Sequence, residues 1–572
     1  MLWIEDKFEK EVVDALSSQL SVSHLLTKFL LARGITQSKE AINFISPRLA
    51  HLSDPFEIPG MTEAVKRVVD AIENKENILL IGDYDVDGIT STVIVKKNLI
   101  SLGLTPYHVT PKRKSEGYGL TQEVLDRGLQ VESIDLVIAL DCGTNSIEES
   151  EFLSASGIDL IVIDHHQSKG PPLTNAIQVN PHLHDDHGEP WRLLCTAGLA
   201  FKLIHGILKN LRQQGVKEAL ELNPKDSLAL AGLGTIADLV PLCDENRILA
   251  TFGLKYLFEN PCPGLQAILQ LANLHSGSDP SSEDIAFKIA PRINACGRLD
   301  DADVATSLLL ETDHHKCKSL ALRMNQYNEE RKSIESNLSE DALLQAKEFF
   351  TDRSAVVVCG QGKHWNPGVV GIVAGKLANA LGKPCIVLAQ TGSECKGSGR
   401  GVQGIDLVQS LDQCKELLDH WGGHPAAVGL SLSVDNLELF KEKFIDVIET
   451  DTGGSLPESS IRIAAVIKQE ELQDSLLRDL NNLAPFGQKN PEPILALHNI
   501  RLPQEPRKVG NGEHFQFSIQ NGKGTVSGIA WNMSDRIPPH STEIDLAFRF
   551  RWNSWNGRKT PQMILEDWKL SS

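Results

Sequence analysis

Three short apolar runs in the first third of the chain each end in a carboxylate. Leu79–Ile81 leads into Gly82-Asp83-Tyr84-Asp85-Val86-Asp87-Gly88, the run 135–140 leads into Asp141, and the run 159–163 leads into Asp164-His165-His166. Each run is rich in Ile, Leu and Val and too short for a helix. Apolar runs without alternation mark strands covered on both faces. Helix-like segments lie between them from about Met61 to about Asp303. That alternation predicts a parallel sheet with crossover helices. In such a sheet the C-terminal ends of the strands share one edge, where α/β proteins carry their sites. Three separate strands would thus deliver Asp and His to one rim.

Asp83, Asp85 and Asp87 sit on one turn, and three such carboxylates repel unless cations lie among them. Gly88 lets the chain turn tightly there. Taken alone, the stretch 81–88 also admits a lesser reading as an acidic turn facing solvent. Its coincidence with Asp141 and Asp164-His165-His166 argues for two divalent cations. The imidazoles favour Mn²⁺ over a purely oxygen-liganded Mg²⁺ site, although Mg²⁺ can serve. Two close cations suit phosphodiester hydrolysis, because they activate a water and stabilise the leaving oxygen.

The rest of the 572 residues implies several domains. Residues 1–50 read as short helices. Residues 313–350 are charged and free of Pro and Gly, which predicts one long helix capped by Thr312 or Asp313. A second α/β unit spans about Ser354 to Thr450, with strands at 354–359 and 384–389. Gly453, Gly454 and Pro457 mark a boundary. Beyond Pro503 the period becomes two, as in Phe515, Phe517 and Ile519, predicting a small antiparallel β domain. The net charge of −19 excludes a generally basic surface. Yet Arg501–Ser572 carries ten basic and seven acidic residues, so the C-terminal part alone is basic. The ten cysteines form no CxxC pair and read as reduced thiols of a cytoplasmic protein. No apolar run is long enough to cross a membrane, and the first residues do not read as a signal peptide.

The order DYDVDG, ALDCGT, VIDHH and GTIADLVPL resembles the DHH phosphoesterase superfamily. PKRKSEGYGL, PRINACGRLDDA, NPGVVGIVA, KGSGRG, GGHPAAVGL and LAPFGQKNPEP extend the resemblance to its RecJ family over nearly the whole chain. The family's HPMAAGL reads HPAAVGL here, and Ile81 stands where many DHH relatives have a histidine. The resemblance implies an α/β fold: DHH and DHHA1 lobes joined by a long helix, plus a C-terminal β-barrel of OB type. It places an N-terminal helical segment at 1–50, the DHH catalytic domain at 51–312, the connecting helix at 313–350, the DHHA1 substrate-binding domain at 351–452 and the OB-fold nucleic-acid-binding domain at 453–572. It implies metal ligation by Asp85, Asp87, Asp141, His165 and Asp238, with Asp83, His166 and His424 as catalytic groups. His166 would ligate a metal or hold the scissile phosphate. Arg113, Tyr118, Arg292, Asn294, Arg298, Ser398, Arg400, Gly422 and Gly423 would bind substrate, Ser398 and Arg400 taking the 5′ phosphate. Trp552 and Trp555, beside Arg549, Arg551, Arg558 and Lys559, would offer a surface for stacked bases.

The implied activity is a metal-dependent exonuclease using two Mn²⁺ or Mg²⁺ ions. It would degrade single-stranded DNA from 5′ to 3′ into 5′-mononucleotides in DNA repair and recombination. Implied partners are a single-strand-binding protein and a RecQ-like helicase, and the implied state is a monomer. Two other readings stand beside it. One is a DHH phosphodiesterase acting on short oligonucleotides or cyclic dinucleotides, which has little need of the β domain. The other is a non-catalytic strand-binding scaffold, which would have lost the ligands. Asp313-His314-His315 opens the long helix and reads as a cap rather than a second site. The run His182, His184, Asp185, Asp186 and His187 reads as a polar loop. GIVAGKL at 371–377 lacks the spacing of a phosphate-cradling loop.

Overall fold

The computed structural model describes the chain except for residues 114, 132, 185–187, 275–280, 300–301, 523, 556–557 and 572, and the side chain of Trp555. It divides into two compact units. One comprises Trp3–Asn294, Ala302–Ala321 and Ile461–Ser572; the other comprises Met1–Leu2, Ala295–Asp301 and Leu322–Ser460.

The first unit is built on β1 (Ile78–Gly82), β2 (Tyr107–Val109), β3 (Leu136–Leu140), β4 (Asp159–Ile163) and β5 (Ile177–Val179). These form a parallel sheet of order β2-β1-β3-β4-β5. Every residue of β1 and β3 is buried, as the unbroken apolar runs predict. Strand order reverses between β1 and β3, the place where open α/β sheets bind ligands. Register there is close: Gly82 opposes Leu140, and Leu140 opposes Ile163. The residues that follow, Asp83, Asp141 and Asp164, therefore leave the sheet side by side. Helices α1 (Val86–Ser101), α2 (Thr196–Gln213) and α3 (Leu228–Ala237) pack together. The approach of α3 to α1 requires glycine, since a Cβ on Gly234 would lie 2.9 Å from Asp87 Oδ1 and 2.5 Å from the Ala197 Cβ.

The same unit contains the C-terminal sheet. Its strands are Ala465–Val466, Leu495–Ile500, Arg507–Val509, His514–Gln520, Thr525–Ala530, Ile544–Trp555 and Arg558–Leu570. The expected purely antiparallel domain is corrected in two respects. The sheet begins at Ala465 rather than beyond Pro503, and two of its pairings are parallel, Ala465–Val466 with Leu495–Ala496 and Ser527–Ala530 with Gln562–Leu565. Among the described residues the ladder runs from Ala465–Val466 at one edge to Arg507–Val509 at the other without closing, so the expected barrel is an open sheet. Its inner face carries Phe515, Phe517, Ile519, Leu546, Phe548 and Phe550, which pack on Leu26, Phe29 and Leu30 from the N-terminal helices. The N-terminal segment is not wholly helical: strand Leu2–Glu5 pairs with Ser460–Ile463.

The second unit carries a mixed sheet of Val356–Gly360, Cys385–Thr391, Glu394–Arg400, His420–His424 and Ala427–Ser433. The expected strands at 354–359 and 384–389 are present within one or two residues. One helix runs from His314 to Phe349, and Asp313 caps it by accepting from the Lys316 N–H at 2.9 Å. All ten cysteines are free. Among the described residues, no helix is long and apolar enough to cross a membrane.

Candidate metal centre and active site

Asp83, Asp85 and Asp87 occupy the turn from β1 into α1. The Asp85 carboxylate caps α1, accepting from the Asp87 and Gly88 N–H groups at 3.0 and 3.1 Å. A Cβ on Gly88 would lie 2.4 Å from the Asp83 carbonyl oxygen, so the turn requires glycine there. Asp87 is aimed at the start of α2, whose Thr196 and Ala197 N–H groups both donate to it at 2.8 Å. Asp141, just after β3, holds a left-handed backbone with φ 65° and accepts from the Thr196 hydroxyl at 3.0 Å.

His165 stands at the centre. Its Nε2 lies 3.3 Å from Asp238, 3.4 Å from Asp141 and 3.7 Å from Asp87, is buried, and has no hydrogen-bond partner. Three overlapping groups of ligand atoms result: Asp87, His165 and Asp238; Asp141, His165 and His166; and Asp83, Asp85 and Asp141. Asp141 and His165 are each shared by two groups. All five expected ligands are therefore brought together, and Asp83, expected among the catalytic groups, adds a further candidate ligand oxygen.

The charges show what this arrangement lacks. Burial, reinforced by the neighbouring carboxylates, pushes Asp83 and Asp141 far above the ordinary carboxylate range. Burial, with Asp87 and Asp85 beside it, pushes Asp238 up to about 9. Burial lowers His165 and keeps its ring neutral, the form that ligates metals. Five crowded acids and an unpartnered imidazole nitrogen fit divalent cations bound among them.

Asp164, Thr144 and Asn180 hold the candidate ligands in place from behind. Asp164 accepts from the His165 N–H at 2.8 Å and holds His166 Nδ1 at 2.7 Å. Burial alone would raise Asp164, but His166 and the Thr144 hydroxyl hold it below the usual range. Thr144 donates to Asp164 at 2.6 Å, and Asn180 donates to Thr144 at 2.8 Å and to the His166 carbonyl at 2.9 Å. His166 is pushed up to about 9: burial opposes this, and the Asp164 hydrogen bond and charge prevail. Thr144, Asn180 and Thr196 escape the sequence reading. Thr144 lies within ALDCGT, and Asn180 follows β5 as the acids follow their strands, but no charge marks either.

Of the expected substrate residues in this unit, Tyr118 is half-exposed, with its hydroxyl 3.0 Å from His166 Nε2 and 3.2 Å from the Asp141 carbonyl oxygen. Its ring meets Tyr84 edge-on, and Arg113 lies over Tyr84 at 5.2 Å. Tyr84, unforeseen, thus joins Arg113 to the centre. Asn294 reaches the acidic turn, where its Oδ1 accepts from the Val86 N–H at 3.1 Å. Arg292 donates to the Lys288 carbonyl of its own helix and, at 3.4 Å, to the Leu271 carbonyl. Trp552 is partly buried against the core, with Lys559 over its ring at 5.4 Å. Arg551 forms ion pairs with Glu283 and Glu492, and Arg549 with Glu566, so these two cations are engaged within the protein. The Trp555 side chain lies outside the described residues, as do Asp185, Asp186 and His187 of the polar run.

The remaining expected residues belong to the other unit. Ser398 and Arg400 lie on strand Glu394–Arg400, and a Cβ on Gly371 would come within 3.3 Å of Ser398 Oγ and 3.4 Å of Arg400 Nη2. Arg400 is half-buried, and burial lowers it with no carboxylate opposing. Gly422, Gly423 and His424 end strand His420–His424. Gly423 has φ 144°, and a Cβ there would lie 2.3 Å from the Ala427 carbonyl oxygen. Arg298 donates to the Gly368 carbonyl at 2.6 Å within this unit.

A parallel sheet whose switch point carries carboxylates and a DHH tripeptide defines a DHH-type metal-dependent phosphoesterase. The family model of the DHH family N-terminal domain matches residues 77–235, that of the DHHA1 domain 353–450, and that of the RecJ OB domain 463–567. The single-stranded-DNA-specific exonuclease RecJ of Bacillus subtilis is 33% identical over 100% of this chain and 71% of its own length. That of Escherichia coli is 30% identical over 98% of both chains. The crystal structure of RecJ from Thermus thermophilus in complex with Mn²⁺ matches with TM-score 0.84 and 28% identity, covering 100% of this chain and 80% of that one. Its Mg²⁺ complex matches with TM-score 0.78. The chain belongs to the RecJ family.

Proposed function

We propose that this protein is a metal-dependent exonuclease that hydrolyses single-stranded DNA from 5′ to 3′, releasing 5′-mononucleotides. The observation that carries the reading is the unpartnered His165 Nε2 ringed by Asp87, Asp141 and Asp238, in a chain alike over its whole length to single-stranded-DNA-specific exonucleases. Asp83, Asp85, Asp87, Asp141, Asp238 and His165 would hold two Mn²⁺ or Mg²⁺ ions. When bound, the cations supply an activated water and neutralise charge on the scissile phosphate. His166, held by Asp164 through Nδ1, turns its Nε2–H from the Tyr118 hydroxyl to a phosphate oxygen. Asp164, Thr144 and Asn180 keep that imidazole oriented. Arg113 and Asn294 grip the strand near the centre, while Ser398, Arg400 and the Gly422-Gly423-His424 turn take its 5′ end. Arginine suits such positions because its planar fork matches phosphate oxygens.

The C-terminal domain favours polymeric strands over short oligonucleotides or cyclic dinucleotides, which need no such domain. Retention of every ligand argues against a non-catalytic scaffold. A reducing cytoplasmic setting agrees with ten free cysteines. A single-strand-binding protein and a RecQ-like helicase are the partners that would supply its substrate.

The test is degradation of end-labelled single strands with Mn²⁺ or Mg²⁺, with either end blocked, beside Asp141→Ala. Loss of mononucleotide release on blocking the 5′ end alone, and in the variant, supports the reading. Tight binding without cleavage points to a scaffold, and activity confined to very short oligonucleotides points to a small-substrate enzyme.

A further inference from the structure

The residue directly after ligand Asp238 is Leu239, and its backbone is left-handed with φ 60°. A branched apolar side chain is strained there, and such strain persists only where its surroundings impose it. Leu239 buries little in return: 63% of it is exposed, whereas Leu242 three residues on is 2% exposed. An isolated exposed leucine is ordinary. A strained one beside a metal ligand is a different observation.

The loop is fastened on both sides of Leu239. The Asp238 N–H donates to the Gly234 carbonyl at 2.9 Å, ending α3. Asn246 Nδ2 donates to the Pro241 carbonyl at 3.1 Å, and the Leu242 N–H donates to the Gln488 carbonyl at 2.9 Å. Leu239 is thus exposed on a loop pinned on both sides of it, directly after Asp238. Around the candidate centre to which Asp238 belongs, His165, Asp238 and half-exposed His166 and Tyr118 all offer hydrogen-bonding groups to a phosphate. Tyr118 and His166 offer ring faces to a base, and none of the four offers an aliphatic side chain.

We propose that Leu239 is a positioning residue that packs against the base of the nucleotide at the scissile phosphate. The contact is apolar and so independent of base identity, as an exonuclease of general sequence requires. The proposal rests on the nuclease reading given above, and it assigns this loop a role in holding substrate in addition to holding Asp238.

The experiment uses the full chain with Leu239→Gly, Leu239→Ala and Leu239→Met. Hydrolysis of a labelled single strand with Mn²⁺ gives kcat, KM and the half-activating Mn²⁺ concentration. Anisotropy gives strand affinity without turnover, and thermal melting gives stability. Glycine relieves the left-handed strain, so Leu239→Gly is expected to melt at the same temperature or higher. Its KM and strand Kd rise about tenfold, as loss of one leucine contact implies, while the Mn²⁺ midpoint is unchanged. Leu239→Met recovers most of the loss. With abasic nucleotides at the 5′ end, the wild type falls to the level of the Gly variant, and the variant loses nothing more. Equal Kd and KM in wild type and Leu239→Gly overturn the proposal. So does a shifted Mn²⁺ midpoint at unchanged KM, because Leu239 then acts only through Asp238. Absence of hydrolysis in the wild type counts against the nuclease reading, whereas the Kd comparison still decides for or against the contact.

Discussion

His165 Nε2 and Asp238 Oδ2 stand 3.3 Å apart with no hydrogen bond between them or to any other group of the protein. One comes from the rim of the parallel sheet and the other from the C-terminal end of α3. A buried nitrogen with no hydrogen bond, facing three carboxylates, is a candidate ligand set. His165→Ala is therefore expected to abolish hydrolysis while strand affinity changes little. Thr144→Val, which removes the hydroxyl that holds Asp164, should lower activity by about ten- to a hundredfold. Thr144→Ser should restore it, as followed by single-strand hydrolysis with Mn²⁺.

The centre should also make stability depend on pH and metal together. Asp238 is raised to about 9 and Asp83 and Asp141 are raised well above their ordinary values, so without cations the folded state binds more protons than the unfolded state. Stability then falls as pH rises from the ordinary carboxylate range toward 9. His166, raised to about 9, acts in the same direction: its contribution is full below about 6.5 and is lost through 9. Cations replace those protons, so the rise in melting temperature on adding Mn²⁺ should be larger at pH 8.5 than at pH 6. A gain independent of pH, or absent in the presence of Mn²⁺, would contradict this account.

Most of the centre was legible in the sequence because strand ends and carboxylates coincide. Asp83, Asp141 and Asp164 each terminate an apolar run, and parallel register brings those ends together without further information. Asp238 lies on no strand, and only the likeness of GTIADLVPL to a family motif placed it with the others. Thr144, Asn180 and Thr196 were invisible because a hydroxyl or amide carries no charge pattern; their role depends on distances set by tertiary packing. Arg551 illustrates the opposite failure. Its basic, aromatic neighbourhood suggests a strand-binding surface, yet Glu283 and Glu492, distant in sequence, meet it in the fold. The period of two was legible only beyond Pro503, because the first strand of the C-terminal sheet has two residues and the second buries Leu495, Ala496 and Leu497 in succession, so neither alternates.

Arg400 should govern recognition of the strand's 5′ end. It is half-buried, faces Gly371 and Ser398, and is opposed by no carboxylate. Arg400→Ala is expected to raise KM about tenfold or more for a 5′-phosphorylated strand, as loss of a charge-assisted pair implies. The effect on a 5′-hydroxyl strand should be smaller. Gly371→Ala, which places a methyl 3.3 Å from Ser398 Oγ, should act in the same direction more weakly. Competition between the two labelled strands measures the ratio directly.

Arg247 should decide how firmly the C-terminal domain is held. Its side chain is 2% exposed and donates only to backbone carbonyls: Phe44 at 2.7 Å, Leu483 at 3.0 Å, Ala484 at 2.9 Å and Asn482 at 3.3 Å. Its guanidinium lies 3.7 Å over the Phe44 ring, and burial, with Arg33 nearby, pushes it down to about 9. Asn482 caps helix Asp474–Asn481, so the cation also meets the negative end of that helix. One side chain from helix Asp244–Glu259 thus ties together the N-terminal helices and the entry to the C-terminal sheet. Lysine keeps the charge but lacks the fork, and three donors on a single nitrogen cannot satisfy the four separate carbonyls at once. Arg247→Lys is expected to cost about 2–3 kcal/mol, read as a lower melting temperature and faster proteolysis near residues 482–490. Hydrolysis of very short strands should survive while affinity for long ones falls, because the metal centre is intact and only the attachment of the C-terminal domain is loosened. Equal losses on short and long strands would place the defect in the catalytic domain instead.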